Sequence, residues 1–129
     1  MATVEQQAAE IFREELQELW DRRRNQEIEI LDSLDEALSK VDAYLEAVRT
    51  AAADITKSTV YLQRDDPKFD LNKRSIEQTY RFSGPADYRI DLTYDARDVF
   101  YNGVPYPPHE LSRLFQRLGA DLVNVFKPK

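Results

Sequence analysis

His109 is the only histidine in the 129 residues, and there is no cysteine, so an imidazole base rests on one residue and thiolate chemistry has none. It follows Pro107 and Pro108 and precedes Glu110, the setting of a surface residue in the first turn of a helix. Asp87, Asp91 and Asp95, with Asp98 nearby, are the densest carboxylate group outside the helical segments. Alternation along residues 88 to 94 puts Asp87, Arg89, Asp91, Thr93 and Asp95 on one side, where a hard cation is conceivable. Arg89 in the middle and the lack of a calcium-loop spacing favour a solvated sheet face instead. The three glycines, Gly84, Gly103 and Gly119, belong to no GxGxxG or GxxxxGK[ST] pattern. The expectation is a protein with no catalytic constellation, no cofactor and no metal.

What remains is chemistry of recognition. Arg22, Arg23 and Arg24 suit phosphate contact or, more simply, a solvated helix end. Arg113 and Arg117 stand one helical turn apart, placed to receive an anionic ligand or a partner's carboxylates. Tyr80, Phe82, Tyr88, Tyr94, Tyr101 and Tyr106 crowd one short region. Tyrosine recurs at interfaces and pockets because its ring is apolar and its hydroxyl wants a partner. These six aromatics with Arg113 and Arg117 form the candidate ligand or partner site.

The elements that must hold these residues follow from periodicity. Val4, Ala8, Ile11, Phe12, Leu16, Leu19 and Trp20 recur at helical spacing over residues 3 to 24, with Thr3 as N-cap and Gln6 three places on. In "DRRRNQE", residues 21 to 27, the apolar rhythm stops: either the chain turns around Asn25 between two helices, or one helix continues with a phase shift, and three arginines favour the turn. From Leu31 the apolar positions Leu31, Leu34, Leu38, Val41, Leu45, Val48, Ala52, Ile55, Thr59 and Leu62 step by threes and fours, averaging about 3.5 residues, the period of a coiled-coil seam. Leu31, Leu34, Leu38, Val41, Leu45, Val48 and Ile55 are therefore the expected oligomer interface.

"RDDPKFDLNK", residues 64 to 73, reads as a linker, with Pro67 turning the chain away from helix. Residues 76 to 82 and 88 to 94 alternate as strands. Pairing Phe82 with Tyr88 sets Tyr80 opposite Ile90 and Ile76 opposite Tyr94. Asn102-Gly103 is the dipeptide of a two-residue hairpin, setting Tyr101 against Val104 and Val99 against Tyr106, with Pro105 on an edge strand. Leu111, Leu114, Phe115 and Leu118 form a last amphipathic helix. Gly119 either lies inside it or ends it ahead of a strand at residues 121 to 126, and a continuous helix to Phe126 is preferred.

The fold class is therefore α+β: an N-terminal helical hairpin or long coiled-coil-like helices, an antiparallel β-meander of three or four strands, and a C-terminal helix. One domain spans residues 1 to 129, divided into a helical oligomerisation segment, 1 to 63, and a head, 74 to 129. A net charge of −6 disfavours general attraction to nucleic acid or anionic lipid. No apolar run reaches the roughly 20 residues of a membrane span, and "MATVEQQAAEIF" lacks the basic start and apolar core of a signal peptide. The expectation is a soluble cytoplasmic protein.

The leading functional reading is a non-catalytic interaction or assembly protein, homo-oligomeric through its helical segment and presenting the head to a protein partner. A small anionic ligand held by the tyrosines and arginines is the alternative. An acidic inhibitor of a nucleic-acid-handling enzyme is the third.

Overall fold

A computed structural model describes residues 1–129. Its first element is one helix, α1, Val4–Thr56, of 53 residues, about 80 Å at 1.5 Å per residue. Thr3 and Gln6 close a capping box at its start: the Gln6 amide donates to Thr3 Oγ1 at 3.2 Å and the Thr3 amide to Gln6 Oε1 at 2.9 Å. The turn expected at residues 21 to 27 does not form. No proline or glycine interrupts the stretch, and its charges pair along the helix instead. Arg22 meets Glu18 at 3.1 Å, Arg23 meets Glu27 at 3.3 Å, and Arg24 meets Asp21 at 3.6 Å. Each exposed pair contributes only tenths of a kcal/mol, but propagation of a helix already begun needs little.

The helix ends earlier than the three-four rhythm implied. Lys57 takes the left-handed conformation (φ 56°) and its amide donates to the Ala53 carbonyl. Thr59 and Leu62 therefore leave the helix, and Leu62 enters β1, Tyr61–Arg64. The expected linker also contains structure. β2, Lys68–Asp70, sits within it, and both β1 and β2 pair antiparallel with the nine-residue β3, Ser75–Ser83.

The expected meander continues from β3 through β4, Tyr88–Tyr94, β5, Val99–Tyr101, and β6, Val104–Tyr106. The order along the sheet is β1-β3-β4-β5-β6, with β2 also on β3, so the expected meander, β3 to β6, has four strands and is extended by two short strands on its β3 edge. The registers agree with the sequence reading: Phe82 opposes Tyr88, Tyr80 opposes Ile90, Ile76 opposes Tyr94, Tyr101 opposes Val104 and Val99 opposes Tyr106. Asn102 (φ 52°) and Gly103 (φ 77°) supply the two positive φ angles of the β5–β6 turn, and Pro105 lies on the outer strand. Gly84 (φ 131°) is needed for another reason: a Cβ there would stand 2.4 Å from the Thr59 carbonyl oxygen.

β1 and β2 lie end to end along one edge of β3, and Gln78 bridges the gap between them. Its side chain is fully buried. Its amide nitrogen donates to the Asp65 carbonyl at 2.5 Å and its oxygen accepts from Arg64 Nε at 3.1 Å. A buried polar group costs little only when so satisfied.

Pro108–Glu110 form a 3-10 turn that leads into α2, Leu111–Phe126, unbroken at Gly119. One face of the sheet carries Ile76, Tyr80, Phe82, Ile90, Leu92, Tyr94, Val99, Tyr101 and Tyr106 into a single core. Onto it pack Ile30, Leu34, Leu38, Val41 and Leu45 of α1 and Leu111, Leu114, Leu118 and Leu122 of α2. Glu77, Arg81, Arg89, Asp91 and Thr93 point to solvent on the opposite face. Residues 30 to 56 of α1 thus belong to the same core as the sheet, and the chain does not divide at residues 63 to 74. No helix is long and apolar enough to cross a membrane.

Candidate functional site: an uncovered helix and an interhelical groove

The three-four seam of α1 is covered by its own chain. Leu34, Leu38, Val41 and Leu45 are buried against the sheet and α2, and Leu31 and Val48 are half-buried on the same core. A 3.5-residue stripe records that a face is covered, and here a sheet and a short helix cover it. Of the seven residues expected at an oligomer interface, Ile55 alone is exposed, at 78%. The expectation that this seam meets a neighbouring chain is corrected for Leu34, Leu38, Val41 and Leu45, which the chain itself buries.

The uncovered surface lies earlier in α1. Before Ile30 no residue of the helix is buried, and about 39 Å of it extends past the core. Along this overhang Val4, Ile11, Phe12, Leu16, Leu19, Trp20 and Ile28 are all exposed, Phe12 at 64% and Trp20 at 54%. At 3.6 residues per turn all but Ile28 gather, with Ala8, on one side, forming an apolar ridge. The stripe covers about half the helix circumference, with Glu5 and Glu15 inside its arc, and single exposed apolar residues are ordinary whereas this many along one side are not. The polar positions of the overhang carry Glu5, Glu10, Glu14, Glu15 and Glu18, followed by Arg22 to Arg24, and Glu18 pairs with Arg22 at 3.1 Å.

A second apolar feature sits at the far end of α1. Tyr44, Val48, Ala51, Ala52 and Ile55 form one wall of a groove of about 420 Å³, and Gly119, Leu122, Val123 and Phe126 of α2 form the other. Its floor is set by Tyr44, whose ring stacks on Phe115 with centroids 4.5 Å apart and 9° between planes, while its hydroxyl donates to the Phe115 carbonyl at 2.9 Å. Burial pushes the Tyr44 phenol above its ordinary value. Val123 at the rim is 67% exposed.

The residues expected to line a ligand pocket are not gathered around one. Tyr80, Phe82 and Tyr94 are fully buried core, and Tyr101 and Tyr106 are buried as well. Tyr88, at the edge, is half-buried against the same core. Two of the tyrosine hydroxyls tie the sheet to the helices. Tyr80 donates to Asp42 of α1, which also takes Arg64 Nη1 at 2.7 Å. Tyr101 donates to Asp121 of α2 at 2.5 Å and lies 3.3 Å from the Tyr88 hydroxyl. Arg117 comes within 3.6 Å of the same Asp121 carboxylate, and Arg113 pairs with Glu110 at 3.0 Å. The anion that these tyrosines and arginines meet is the chain's own.

Nor does the electrostatics gather a reacting centre. Burial drives the Tyr80, Tyr94 and Tyr101 phenols far above their ordinary values. The Thr79 hydroxyl, donating to Asp91 at 2.6 Å, and then Arg89 hold that carboxyl below the usual range. These shifts move each group away from neutrality, whereas a general acid or base is tuned toward it. His109 is exposed beside Glu110, and no three acidic or imidazole groups converge as metal ligands would. The ridge has a signal in the sequence, the helical spacing of apolar residues over residues 3 to 24, but the groove needs α1 and α2 side by side, which periodicity alone does not give.

No family model matches the chain, and no curated protein or solved structure matches it either.

Proposed function

We propose that the chain is a non-catalytic assembly protein that self-associates through the N-terminal overhang of α1, with the sheet and α2 as a rigid head. The observation that carries this reading is the ridge from Val4 to Trp20, six large apolar side chains exposed on a helix that continues unbroken from the core. Leaving them in water forgoes roughly 1.5–3 kcal/mol for each that a partner buries fully. Isolated helix without tertiary cover is marginal, so a covered overhang is also a more stable one. The anionic-ligand alternative loses its footing because Asp121 and Glu110 already occupy the arginines. The acidic-inhibitor reading rests on charge alone.

The test is light scattering behind size exclusion at micromolar concentration, on the whole chain and on the Leu16→Glu/Leu19→Glu variant. Both positions are exposed, so the head folds in either case, as circular dichroism will verify. The expected result is an oligomer for the first and a monomer for the second. A monomeric whole chain overturns the proposal.

A further inference from the structure

Ridge and groove are complementary, yet one molecule cannot join them. Phe12 and Val48 lie on the same unbroken helix, about 54 Å apart along its axis. Both surfaces therefore need an occupant from outside. We propose, building on the self-association above, that the ridge of each chain docks in the α1–α2 groove of a second copy, in an antiparallel two-fold dimer with two ridge-in-groove contacts.

Three features select this occupant. The first is length: along the helix the groove wall from Tyr44 to Thr56 runs about 18 Å and the ridge from Val4 to Trp20 about 24 Å. The second is direction. In an antiparallel two-fold pair each helix must offer the same side to the other. At about 100° per residue, the ridge from Ile11 round to Trp20 spans an arc of roughly 180°, and Tyr44, Val48, Ala51, Ala52 and Ile55 fall within that arc. The ridge and the groove wall thus face one way, as the symmetry requires.

The third feature is charge. Residues 5 to 18 carry Glu5, Glu10, Glu14, Glu15 and Glu18 against Arg13 alone. At the groove mouth Lys127 carries a positive charge with no ion pair, while Arg113 and Arg117 on the outer flank of α2 are held by Glu110 and Asp121. Antiparallel docking with the two-fold near residue 30 sets the acidic stretch beside Lys127. It also sets Arg22 to Arg24 beside the copy's Asp32, Asp35 and Glu36. A parallel pairing of ridge on ridge would instead align three arginines with three arginines, a destabilising match of like charges.

The chain has no cysteine, so engineered thiols report without background. Two separately purified variants, Ile11→Cys and Val123→Cys, are mixed, equilibrated and oxidised gently, and the linked peptides are read by mass spectrometry. The expected product is a disulfide joining position 11 of one chain to position 123 of the other, exceeding homodimers of either variant. Predominant Ile11→Cys homodimers would leave self-association standing and overturn groove docking. Absence of any dimer of the unmodified chain in sedimentation would overturn both.

A second variant fills the groove. Ala51 is exposed and lines its wall, so Ala51→Trp blocks entry without touching the ridge. The expected effect is a dimer Kd raised at least tenfold with an unchanged circular dichroism spectrum. An unchanged Kd contradicts the docking.

Discussion

The Tyr44 hydroxyl donates to the Phe115 carbonyl at 2.9 Å while the two rings stack, and a Cβ placed on Gly119 would stand 2.8 Å from that same hydroxyl. One side chain thus fixes the spacing of α1 and α2, and one glycine makes room for it. Gly119→Ala sets two effects against each other. Alanine stabilises a helix interior by about 1 kcal/mol over glycine, while displacing the hydroxyl forfeits a hydrogen bond worth about 1 kcal/mol and part of the ring stack. The expected outcome is a net loss of about 0.5–1 kcal/mol in the native chain and a gain of similar size in a Tyr44→Phe background. Urea denaturation of the four proteins of this cycle measures it.

Asp42 holds the sheet to α1 from the other side, accepting from buried Tyr80 and from Arg64. Asp42→Ala strands the Tyr80 hydroxyl in a dry core, and an unsatisfied buried donor costs about 1–3 kcal/mol. The midpoint of chemical unfolding is expected to fall accordingly. Double substitution with Tyr80→Phe recovers part of the loss, because both partners are then gone.

The interior also predicts a pH limit. Tyr80, Tyr94 and Tyr101 have folded pKa values raised above the ordinary 10, chiefly by burial. In the unfolded chain these phenols ionise near pH 10, so above that pH the unfolded state binds fewer protons and stability falls as pH rises. Three such groups give a slope of up to about 4 kcal/mol per pH unit. Below pH 10 their contribution is fully present. The part of the tyrosinate absorbance that belongs to these three of the seven tyrosines is expected to appear together with loss of the circular dichroism signal, rather than ahead of it.

Trp20 is the only tryptophan and lies on the ridge, 54% exposed, with the Arg23 guanidinium carbon 5.6 Å from its ring centroid. Its fluorescence therefore follows the overhang and not the head. Emission is expected to shift to shorter wavelength as concentration rises from nanomolar to micromolar, tracing assembly. A spectrum independent of concentration would mean that the indole stays in water.

How much of this was legible in the sequence differs by element. The β3–β4 register was readable because Ile76, Tyr80, Phe82, Tyr88, Ile90 and Tyr94 all share one face, so a single pairing aligns every large side chain. The β5–β6 turn was readable from Asn102-Gly103. β1 and β2, at four and three residues, are too short to show alternation, and Pro67 between them disguised strand as linker. Leu62 prolonged the three-four rhythm of α1 by coincidence, hiding the helix end at a lysine rather than a glycine.

The seam itself was found, and its partner was misassigned. Period identifies a covered face of Leu34, Val41 and Leu45, but a sheet built from residues 61 to 106 covers it as completely as a second helix would. Continuity through residues 21 to 27 is the less favoured of the two sequence readings because the apolar rhythm lapses there, while charge pairs three and four residues apart line the helix across it. The ridge was visible as an amphipathic stripe; its lack of any cover within the chain was visible only in three dimensions.

Sedimentation equilibrium on the whole chain, beside a fragment lacking residues 1 to 27, tests the central claim most directly. The fragment keeps every buried residue from Ile30 onward and is expected to fold as a monomer, while the whole chain sediments as a dimer at micromolar concentration. A whole chain with the mass of a single copy, indistinguishable in association from the fragment, would contradict the account.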